Sequence, residues 1–170
     1  MKKLTGILWV AILIFLDQIT KLAAVNALKD NDSIPIIKNV FQLTYLENRG
    51  AAFGILQNKI VLFVLLTSIV LIIIGFIYYR MPDEKRYKPI NLILILVASG
   101  AVGNLIDRIR FNYVVDFLDF CLIDFPIFNV ADCYVTISAC FIFLLFFFYY
   151  KDEDINYLSD KIKGRKTTVE

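Results

Sequence analysis

The stretch FPIFNVADCYVTISACFIFLLFFFYY (125–150) joins a polar start to a long apolar segment. Residues Ala131 to Tyr150 have the length and composition of a membrane-spanning helix, which needs about 20 apolar residues. Asn129 and Asp132 lie at the beginning of this segment. An aspartate near a helix N-terminus caps the helix, but ionisable groups at the edge of a span are also usually functional. On the pattern alone, both interpretations of Asp132 stay open.

Three more segments of the chain are apolar and close to the length needed to cross a bilayer. They are Leu4–Ala24, Ile60–Tyr79 and Ile90–Ile106. The chain has 170 residues, and 59% of them are hydrophobic, which is too apolar for an ordinary soluble domain. We therefore predict a polytopic membrane protein, all-α in its spans, with four transmembrane helices in a single domain, residues 1–150. The first segment also fits a cleaved signal peptide, because Lys2 and Lys3 precede its apolar run and a possible cleavage site follows at 25–27.

The basic residues are distributed unevenly along the chain. Eleven of the 18 fall at the termini and between the second and third spans: Lys2, Lys3, Arg80, Lys85, Arg86, Lys88, Lys151, Lys161, Lys163, Arg165 and Lys166. Because cytoplasmic connections carry an excess of Lys and Arg, we expect both termini and the 80–89 loop in the cytoplasm. The connections 25–59 and 107–128 then face outward, and 151–170 is a cytoplasmic polar tail.

The first outward connection, an insert over 26–58, has a strand pattern. In Val40–Leu46 large apolar side chains alternate with polar ones, which predicts a β-strand with one apolar face. A small extracytoplasmic sheet is therefore expected. The segment 50–56 (GAAFGIL) is predicted to form a short helix lying in the membrane interface.

Composition excludes several classes of function. The sequence contains no histidine, which removes Ser-His and Cys-His nucleophilic sites and the usual catalytic zinc sites. The formal net charge of +2 leaves no basic domain for binding nucleic acid. The cysteines number three and form no CxxC pair, so a disulfide framework is not expected.

Polar side chains interrupt the first and third spans. Asp17 and Lys21 are four residues apart, which suits a helical salt bridge that lets both side chains approach the headgroups. Asn104 and Arg108 lie one turn apart and share a helix face, with Asp107 close by. For each group, a local structural role and a place in the shell of an active site both stay open.

The second outward connection embeds Asp116 and Asp119 among large apolar residues in YVVDFLDF (113–120). A solvated acidic loop does not explain this pattern, so the segment is predicted to lie against the membrane or the helices. Because the sequence contains no histidine, the side chains that remain for acid–base catalysis are carboxylates, lysine and tyrosine. Two aspartates brought together share a proton and hold a water, and such a pair needs no metal and no cofactor. A Ser–Lys hydrolase is the rival, but the sequence offers no convincing Ser–Lys pair.

Five motifs in order resemble those of the lipoprotein signal peptidases, also called signal peptidase II or prolipoprotein signal peptidases. The motifs are DQITK (17–21), NRGAAFG (48–54), SGAVGNLIDR (99–108), VVDF (114–117) and FNVAD (128–132). The resemblance covers about residues 4–150, and it departs at Ser99, where the family usually has a glycine. It implies an aspartic endopeptidase whose catalytic pair is Asp116 and Asp132. The implied residues of the site shell or substrate-binding surface are Asp17, Lys21, Asn48, Gly50, Asn104, Asp107, Arg108 and Asn129.

The resemblance also implies a substrate and a place of action. The substrate is a bacterial prolipoprotein whose signal peptide is removed just before a diacylglyceryl-modified cysteine. The protein is then a multi-pass protein of the bacterial cytoplasmic membrane, in contact with membrane lipid, with its active site near the outer face, and we expect a monomer. Four spans with an extracytoplasmic β-cradle and a short interfacial helix are the implied fold, and the first segment is retained because Asp17 belongs to the site.

From the residues without the resemblance, two other classes stay open beside a hydrolase. A small four-helix transporter would use its intramembrane acids to bind protons or cations. Transporters often contain internal repeats, and the sequence shows none. A non-catalytic membrane assembly factor is the third class, and it would tolerate Asp116→Asn together with Asp132→Asn.

Overall fold

The computed structural model of the protein describes residues 3–50 and 59–165. Within these ranges the helices and strands follow in the order α1 (Lys3–Leu28), β1 (Ile34–Ile37), β2 (Phe41–Asn48), α2 (Ile60–Arg80), α3 (Lys88–Phe111), β3 (Val114–Asp119), α4 (Val130–Leu144) and α5 (Asp152–Lys163). A short 3₁₀ turn at Lys85–Tyr87 precedes α3, and a π-helical turn at Leu145–Tyr149 extends α4. The part of the chain described contains four helices long and apolar enough to cross a membrane, as predicted.

The four long helices expose apolar side chains outward and bury polar ones inward. Every residue of α2 is at least partly exposed, although this helix is the most hydrophobic of the four. The fully buried side chains of the bundle include Asp17, Ser99 and Asp107 instead. This arrangement suits a bilayer, where the surroundings are as apolar as leucine and polar groups must find partners inside the protein.

Helix α3 is the central helix, since it packs against α1, α2 and α4. Two of its glycines allow the close approach. A Cβ atom on Gly100 would lie 2.5 Å from the carbonyl oxygen of Ala131, and one on Gly103 would lie 2.5 Å from Oδ2 of Asp17. Neighbouring Ser99 is fully buried and donates to the carbonyl of Ile95 at 2.7 Å, so its hydroxyl is satisfied within the helix.

A three-stranded antiparallel sheet in the order β1-β2-β3 lies at one end of the bundle, called here the sheet end. The predicted strand at 40–46 is confirmed as β2, which extends to Asn48. The segment expected to be an apolar outward loop forms β3 instead. Helix α3 continues to Phe111 and is ended by Asn112, which has a left-handed backbone conformation (φ 62°), and β3 begins two residues later. The predicted interfacial helix at 50–56 falls, apart from Gly50, outside the described residues.

Helix α5 lies at the other end of the bundle, called here the α5 end. Leu158 packs with Met81, Tyr87 and Tyr150 in a buried apolar cluster. Part of the segment predicted as a polar tail is therefore an amphipathic helix that docks on the bundle. The division of the chain into a domain over 1–150 and a tail over 151–170 stays a prediction. The three cysteines, Cys121, Cys133 and Cys140, are free.

Candidate active site

Asn129 and Asp132 form the N-terminal cap of α4. The side chain of Asn129 accepts from the backbone N–H of Asp132 at 3.1 Å, and Oδ2 of Asp132 accepts from the backbone N–H of Asn129 at 3.1 Å. This reciprocal pair is a capping box, which satisfies two of the unpaired donors at a helix start. The capping role considered for Asp132 is therefore present. It leaves Oδ1 of the same carboxyl group free to take part in other contacts.

Asp116 is brought to the same place by the sheet. It lies on β3 opposite Leu46 of β2, and it is 1% exposed. Its Oδ2 accepts from Nδ2 of Asn48 at 2.8 Å, and its Oδ1 accepts from Nδ2 of Asn129 at 2.5 Å. Asn129 thus contacts both aspartates. Its backbone N–H and its side-chain oxygen contact Asp132, and its side-chain nitrogen contacts Asp116.

Each oxygen of the two carboxyl groups has an N–H donor. The remaining oxygen of Asp132, Oδ1, accepts from Nδ2 of Asn104 at 2.8 Å. Donors aimed at every carboxyl oxygen fix the orientation of both groups and favour the ionised form of each. Burial in an apolar setting acts in the opposite direction, so the two effects compete at this pair.

Three asparagine side chains supply three of these four donors, and each of the three amides is oriented by a donor on its oxygen. Oδ1 of Asn48 accepts from the backbone N–H of Gly50 at 3.0 Å, and Oδ1 of Asn104 accepts from the ammonium of Lys21 at 2.8 Å. Oδ1 of Asn129 accepts from the backbone of Asp132, as described above. Backbone N–H groups and ammonium groups cannot accept hydrogen bonds, so each amide must turn its NH₂ toward a carboxyl group.

Lys21 lies behind the two aspartates in a network of buried charges. Its ammonium is 3.0 Å from Oδ2 of Asp17 and 3.1 Å from Oδ2 of Asp107, and all three residues are almost completely buried. The salt bridge predicted between Asp17 and Lys21 is present. It lies in the interior of the bundle, not toward the headgroups, because Asp107 and Asn104 of α3 supply the other partners.

A cavity of about 710 Å³ opens beside the two aspartates. Six of the candidate site residues line it: Asn48, Gly50, Asn104, Arg108, Asp116 and Asp132. Its other walls are mainly apolar and come from β3, from the connection after it and from α4: Val114, Phe120, Ile123, Phe125, Pro126, Ile127, Phe128, Cys133, Val135, Thr136 and Ile137. A volume and lining of this kind suit a ligand that is largely apolar with a few polar groups.

The guanidinium of Arg108 stands at the cavity wall. It lies 4.7 Å from the ring centroid of Phe63 and 3.5 Å from the carbonyl oxygen of Gly50. Among the residues that the structure describes, Arg108 is therefore the cationic side chain that faces the cavity, while the ammonium of Lys21 pairs with the carboxylates behind it. This separation could not be read from the sequence, where Lys21 lies within the first predicted span and Arg108 lies just after the third.

Burial, and after it the negative charge of Asp132, raise the pKa of Asp116 from its ordinary value of 3.8 to about 7. The hydrogen bonds from Asn48 and Asn129 oppose this rise. Two carboxyl groups close together cannot both ionise easily, so near neutral pH the pair retains a proton. A shared proton is what acid–base chemistry on a water molecule requires of two carboxylic acids.

The structure brings all ten candidate site residues into one connected group. Asp17, Lys21, Asp107 and Asn129 lie behind the cavity, and the other six line it. Gln18 was not among the predicted site residues, although its Nε2 donates to Oδ1 of Asp107 at 3.0 Å. Its signal was present, since Gln18 is a polar residue between Asp17 and Lys21 in an apolar span. The aromatic lining at Phe120 and Phe128 gave no signal, because aromatic residues are frequent throughout this chain.

Fold and site together define a multi-pass membrane protein with two aspartates, one buried and one partly buried, at the sheet end of its bundle. A family model described as signal peptidase (SPase) II matches residues 9–148. A lipoprotein signal peptidase of Caldanaerobacter subterraneus subsp. tengcongensis is 46% identical over 144 residues, which are 84% of this chain and 96% of that protein. One of Clostridioides difficile is 46% identical over 143 residues, which are 83% of this chain and 95% of that protein.

Two solved structures agree with these sequence matches. A bacterial membrane enzyme solved by the in meso method at 2.3 Å is 33% identical, with a TM-score of 0.72 over 98% of this chain and 94% of its own. A second one, at 1.9 Å, is 34% identical, with a TM-score of 0.73 over 86% of this chain and 94% of its own. The chain belongs to the signal peptidase II family, and the resemblance seen in the five motifs is confirmed.

Proposed function

We propose that this protein removes signal peptides from bacterial prolipoproteins by cleaving just before a diacylglyceryl-modified cysteine, with Asp116 and Asp132 as the catalytic pair. The observation that carries this proposal is the convergence of both carboxyl groups on Asn129 at the wall of one cavity. The substrate class follows from the family and from the named relatives. The apolar walls of the cavity suit the apolar side chains of a signal peptide.

The chemistry uses one water molecule held between the two carboxyl groups. One carboxylate takes a proton from the water while the oxygen attacks the carbonyl carbon of the residue before the modified cysteine. The other carboxyl group, which carries the retained proton, donates it to the nitrogen of the scissile bond. That bond then breaks, which releases the signal peptide as an acid and the lipid-modified cysteine as a free amine. Each carboxyl group acts once as acid or base in this scheme.

The lipid attached to the cysteine of the substrate positions the scissile bond. Acyl chains that stay in the bilayer hold the modified cysteine at the membrane surface, so the scissile bond needs little further restriction to meet the carboxyl groups. Arg108 is placed to orient a peptide carbonyl or a lipid ester, because its guanidinium faces the cavity and is a donor only. Asn48 and Asn104 hold the carboxyl groups in place while this occurs.

We further propose that the protein lies in the cytoplasmic membrane as a monomer, with both termini in the cytoplasm and the sheet end outward. One observation supports the orientation. Lys3, Arg80 and Arg86 gather at the α5 end, where the ammonium of Lys3 lies 3.1 Å from the carbonyl of Met81, and basic residues are retained on the cytoplasmic side of a membrane. With this orientation the aspartates lie near the outer face, as the resemblance to the lipoprotein signal peptidases implies.

The decisive experiment compares Asp116→Asn, Asp132→Asn and the unchanged protein in detergent with a diacylglyceryl-modified precursor. We expect each variant to lose about 10²–10⁴-fold in the rate of cleavage, which is the usual contribution of a positioned acid or base. Asp124→Asn, an exposed aspartate of the same connection, is the matched control and is expected to cleave normally. Cleavage at the normal rate by either Asp116→Asn or Asp132→Asn would rule out the catalytic pair.

A further inference from the structure

The ammonium of Lys21 has a complete set of partners. It donates to Oδ2 of Asp17 at 3.0 Å, to Oδ2 of Asp107 at 3.1 Å and to Oδ1 of Asn104 at 2.8 Å. An ammonium has three donors and no acceptor, so each of its protons is used. Lys21 is 3% exposed, and a buried cation persists only when its partners are this well placed.

The two carboxylates that hold Lys21 each hold a second group. Oδ1 of Asp17 accepts from the backbone N–H of Ala131 at 3.0 Å. Oδ2 of Asp107 accepts from the backbone N–H of Val115 at 3.1 Å. Ala131 directly precedes Asp132, and Val115 directly precedes Asp116. Each buried acid therefore fixes the backbone one residue before one of the aspartates of the cavity.

Gln18 connects the same two acids a second time. Its Nε2 lies 3.0 Å from Oδ1 of Asp107 and 3.3 Å from Oδ2 of Asp17. It also lies 3.3 Å from the carbonyl oxygen of Gly103. The acids are thus tied to each other through one cation and one amide, and none of these side chains faces the cavity.

We propose that Asp17, Lys21 and Asp107, called here the charge clamp, are positioning residues that set the separation of Asp116 and Asp132 through the backbone N–H groups of Val115 and Ala131. The clamp touches neither the substrate nor the attacking water. It rests on the proposed function, because the separation of the two aspartates matters only if they act on one water molecule.

The clamp does more than a local salt bridge would require. A helical pair four residues apart satisfies its own charges within α1 and needs no partner elsewhere. Here the contacts of two acids and one base extend from α1 to α3, to β3 and to α4, which are the elements that carry the site. Strands and helices that meet at a site are free to shift against each other unless such a group joins them, and displacements of about 1 Å cost about 10²-fold in rate.

The test uses a pair of variants that separates folding from positioning. The clamp carries one positive and two negative charges, so Lys21→Met leaves two buried carboxylates without a cation, and folding is expected to suffer. The double variant Lys21→Met with Asp17→Asn restores the original net charge of the group. It keeps an oxygen opposite the N–H of Ala131, but it lacks the cation that joins the two acids.

The measurements are the thermal midpoint in detergent and the values of kcat and KM for a diacylglyceryl-modified precursor. We expect the double variant to regain most of the thermal midpoint lost in Lys21→Met, while its kcat stays about 10²-fold below that of the unchanged protein and its KM is little changed. A double variant with normal kcat would overturn the proposal, because the group would then serve folding alone. A double variant that raises KM with an unchanged kcat would overturn it as well.

Two controls complete the design. Lys29→Met removes a lysine of the segment after α1 that is 43% exposed and pairs with Glu47 at the surface, and normal kcat is expected. Asp116→Asn separates the two proposals. If Asp116→Asn cleaves normally, the catalytic pair is wrong, whereas an inactive Asp116→Asn beside a fully active clamp variant rejects the clamp alone.

Discussion

At the scale of single residues, the site depends on groups that can only donate hydrogen bonds and that thereby orient three asparagine side chains. Asn48, Asn104 and Asn129 each turn an NH₂ group toward a carboxyl group because a backbone N–H or an ammonium occupies the amide oxygen. The side chains of asparagine offer a donor and an acceptor of similar size, so an unconstrained amide rotates freely between the two. The orientation here is decided by neighbours that can only donate.

The raised pKa of Asp116 predicts how stability depends on pH. Its pKa is 3.8 in an exposed setting and about 7 in the folded protein, so its contribution to stability is complete below pH about 4 and is lost as the pH rises through about 7. The difference corresponds to about 4 kcal/mol. We expect the free energy of unfolding in detergent to fall between about pH 4 and about pH 7, and the fall to be smaller in Asp116→Asn.

The control for this pH dependence is Asp124→Asn, which removes an exposed carboxyl group and is expected to leave the slope unchanged. The same proton links stability to activity. If the pair needs its retained proton to protonate the leaving nitrogen, kcat/KM falls as the pH rises above about 7. A slope identical in Asp116→Asn and the unchanged protein would show that Asp116 does not titrate in this range.

At the scale of elements, the close contact of α3 with α1 and α4 holds the site together. Gly103 faces the carboxyl group of Asp17, and Gly100 faces the backbone of Ala131. Small residues let helices approach closely in lipid, where packing and hydrogen bonds replace the hydrophobic effect between helices. The approach brings Asp17 within reach of the N-terminus of α4, which an ordinary helix separation would not allow.

Gly103→Ala tests this contact. The added Cβ would lie 2.5 Å from Oδ2 of Asp17, and that carboxyl group cannot move freely because Lys21 holds it. We expect a cost of about 1–3 kcal/mol in the free energy of unfolding, together with reduced cleavage. Gly75→Ala in α2 is the matched control, because its Cβ would have no neighbour within 4 Å and should leave stability within about 1 kcal/mol. Equal stabilities of the two variants would contradict the close contact.

Helix α5 gives a second test at this scale. Leu158 is 6% exposed in the cluster with Tyr87 and Tyr150, and the guanidinium of Arg86 lies 2.5 Å from Oδ2 of Asp154. Leu158→Ala is expected to weaken the docking of α5 by about 2–5 kcal/mol, which limited proteolysis of the C-terminal segment would detect. Cleavage of the precursor should be unaffected, because α5 lies at the end of α3 remote from Asn104 and Arg108. The exposed Asn156→Ala is the control, and resistance of Leu158→Ala to proteolysis would count against the docking.

At the scale of the whole molecule, the two ends differ in charge and in construction. The α5 end carries most of the basic residues, and the sheet end carries the aspartates of the cavity. Basic residues are retained on the cytoplasmic side of a membrane, so this asymmetry orients the chain. Spheroplasts that contain single-cysteine variants can be labelled with a maleimide that does not cross membranes. The parent for both variants lacks the three native cysteines.

We expect Lys38→Cys, in the exposed turn between β1 and β2, to react in intact spheroplasts. Lys163→Cys, in the last turn of α5, should react only after the membrane is permeabilised. Labelling of Lys163→Cys in intact spheroplasts would reverse the proposed orientation. The parent without cysteines controls for labelling of other groups.

The sequence by itself determined the four spans and the strand at 40–46, and the resemblance of its five motifs supplied all ten candidate site residues. Hydrophobic length is a local property, and ionisable residues in an apolar segment are conspicuous wherever they occur. The motif series then assigned them to a family. A local pattern did not reveal β3, because VVDFLD (114–119) pairs with β2 across a separation of about 70 residues.

Only the tertiary structure decided which polar residues face the cavity and which stand behind it. Residue type alone does not distinguish Lys21 from Arg108, or Asp107 from Asp116. The fold separates them because α1 and α3 approach closely enough at Gly103 for Lys21 to be enclosed by Asp17 and Asp107. Such contacts join residues distant along the chain, and their geometry is fixed by packing and hydrogen bonding in three dimensions, which no local sequence pattern encodes.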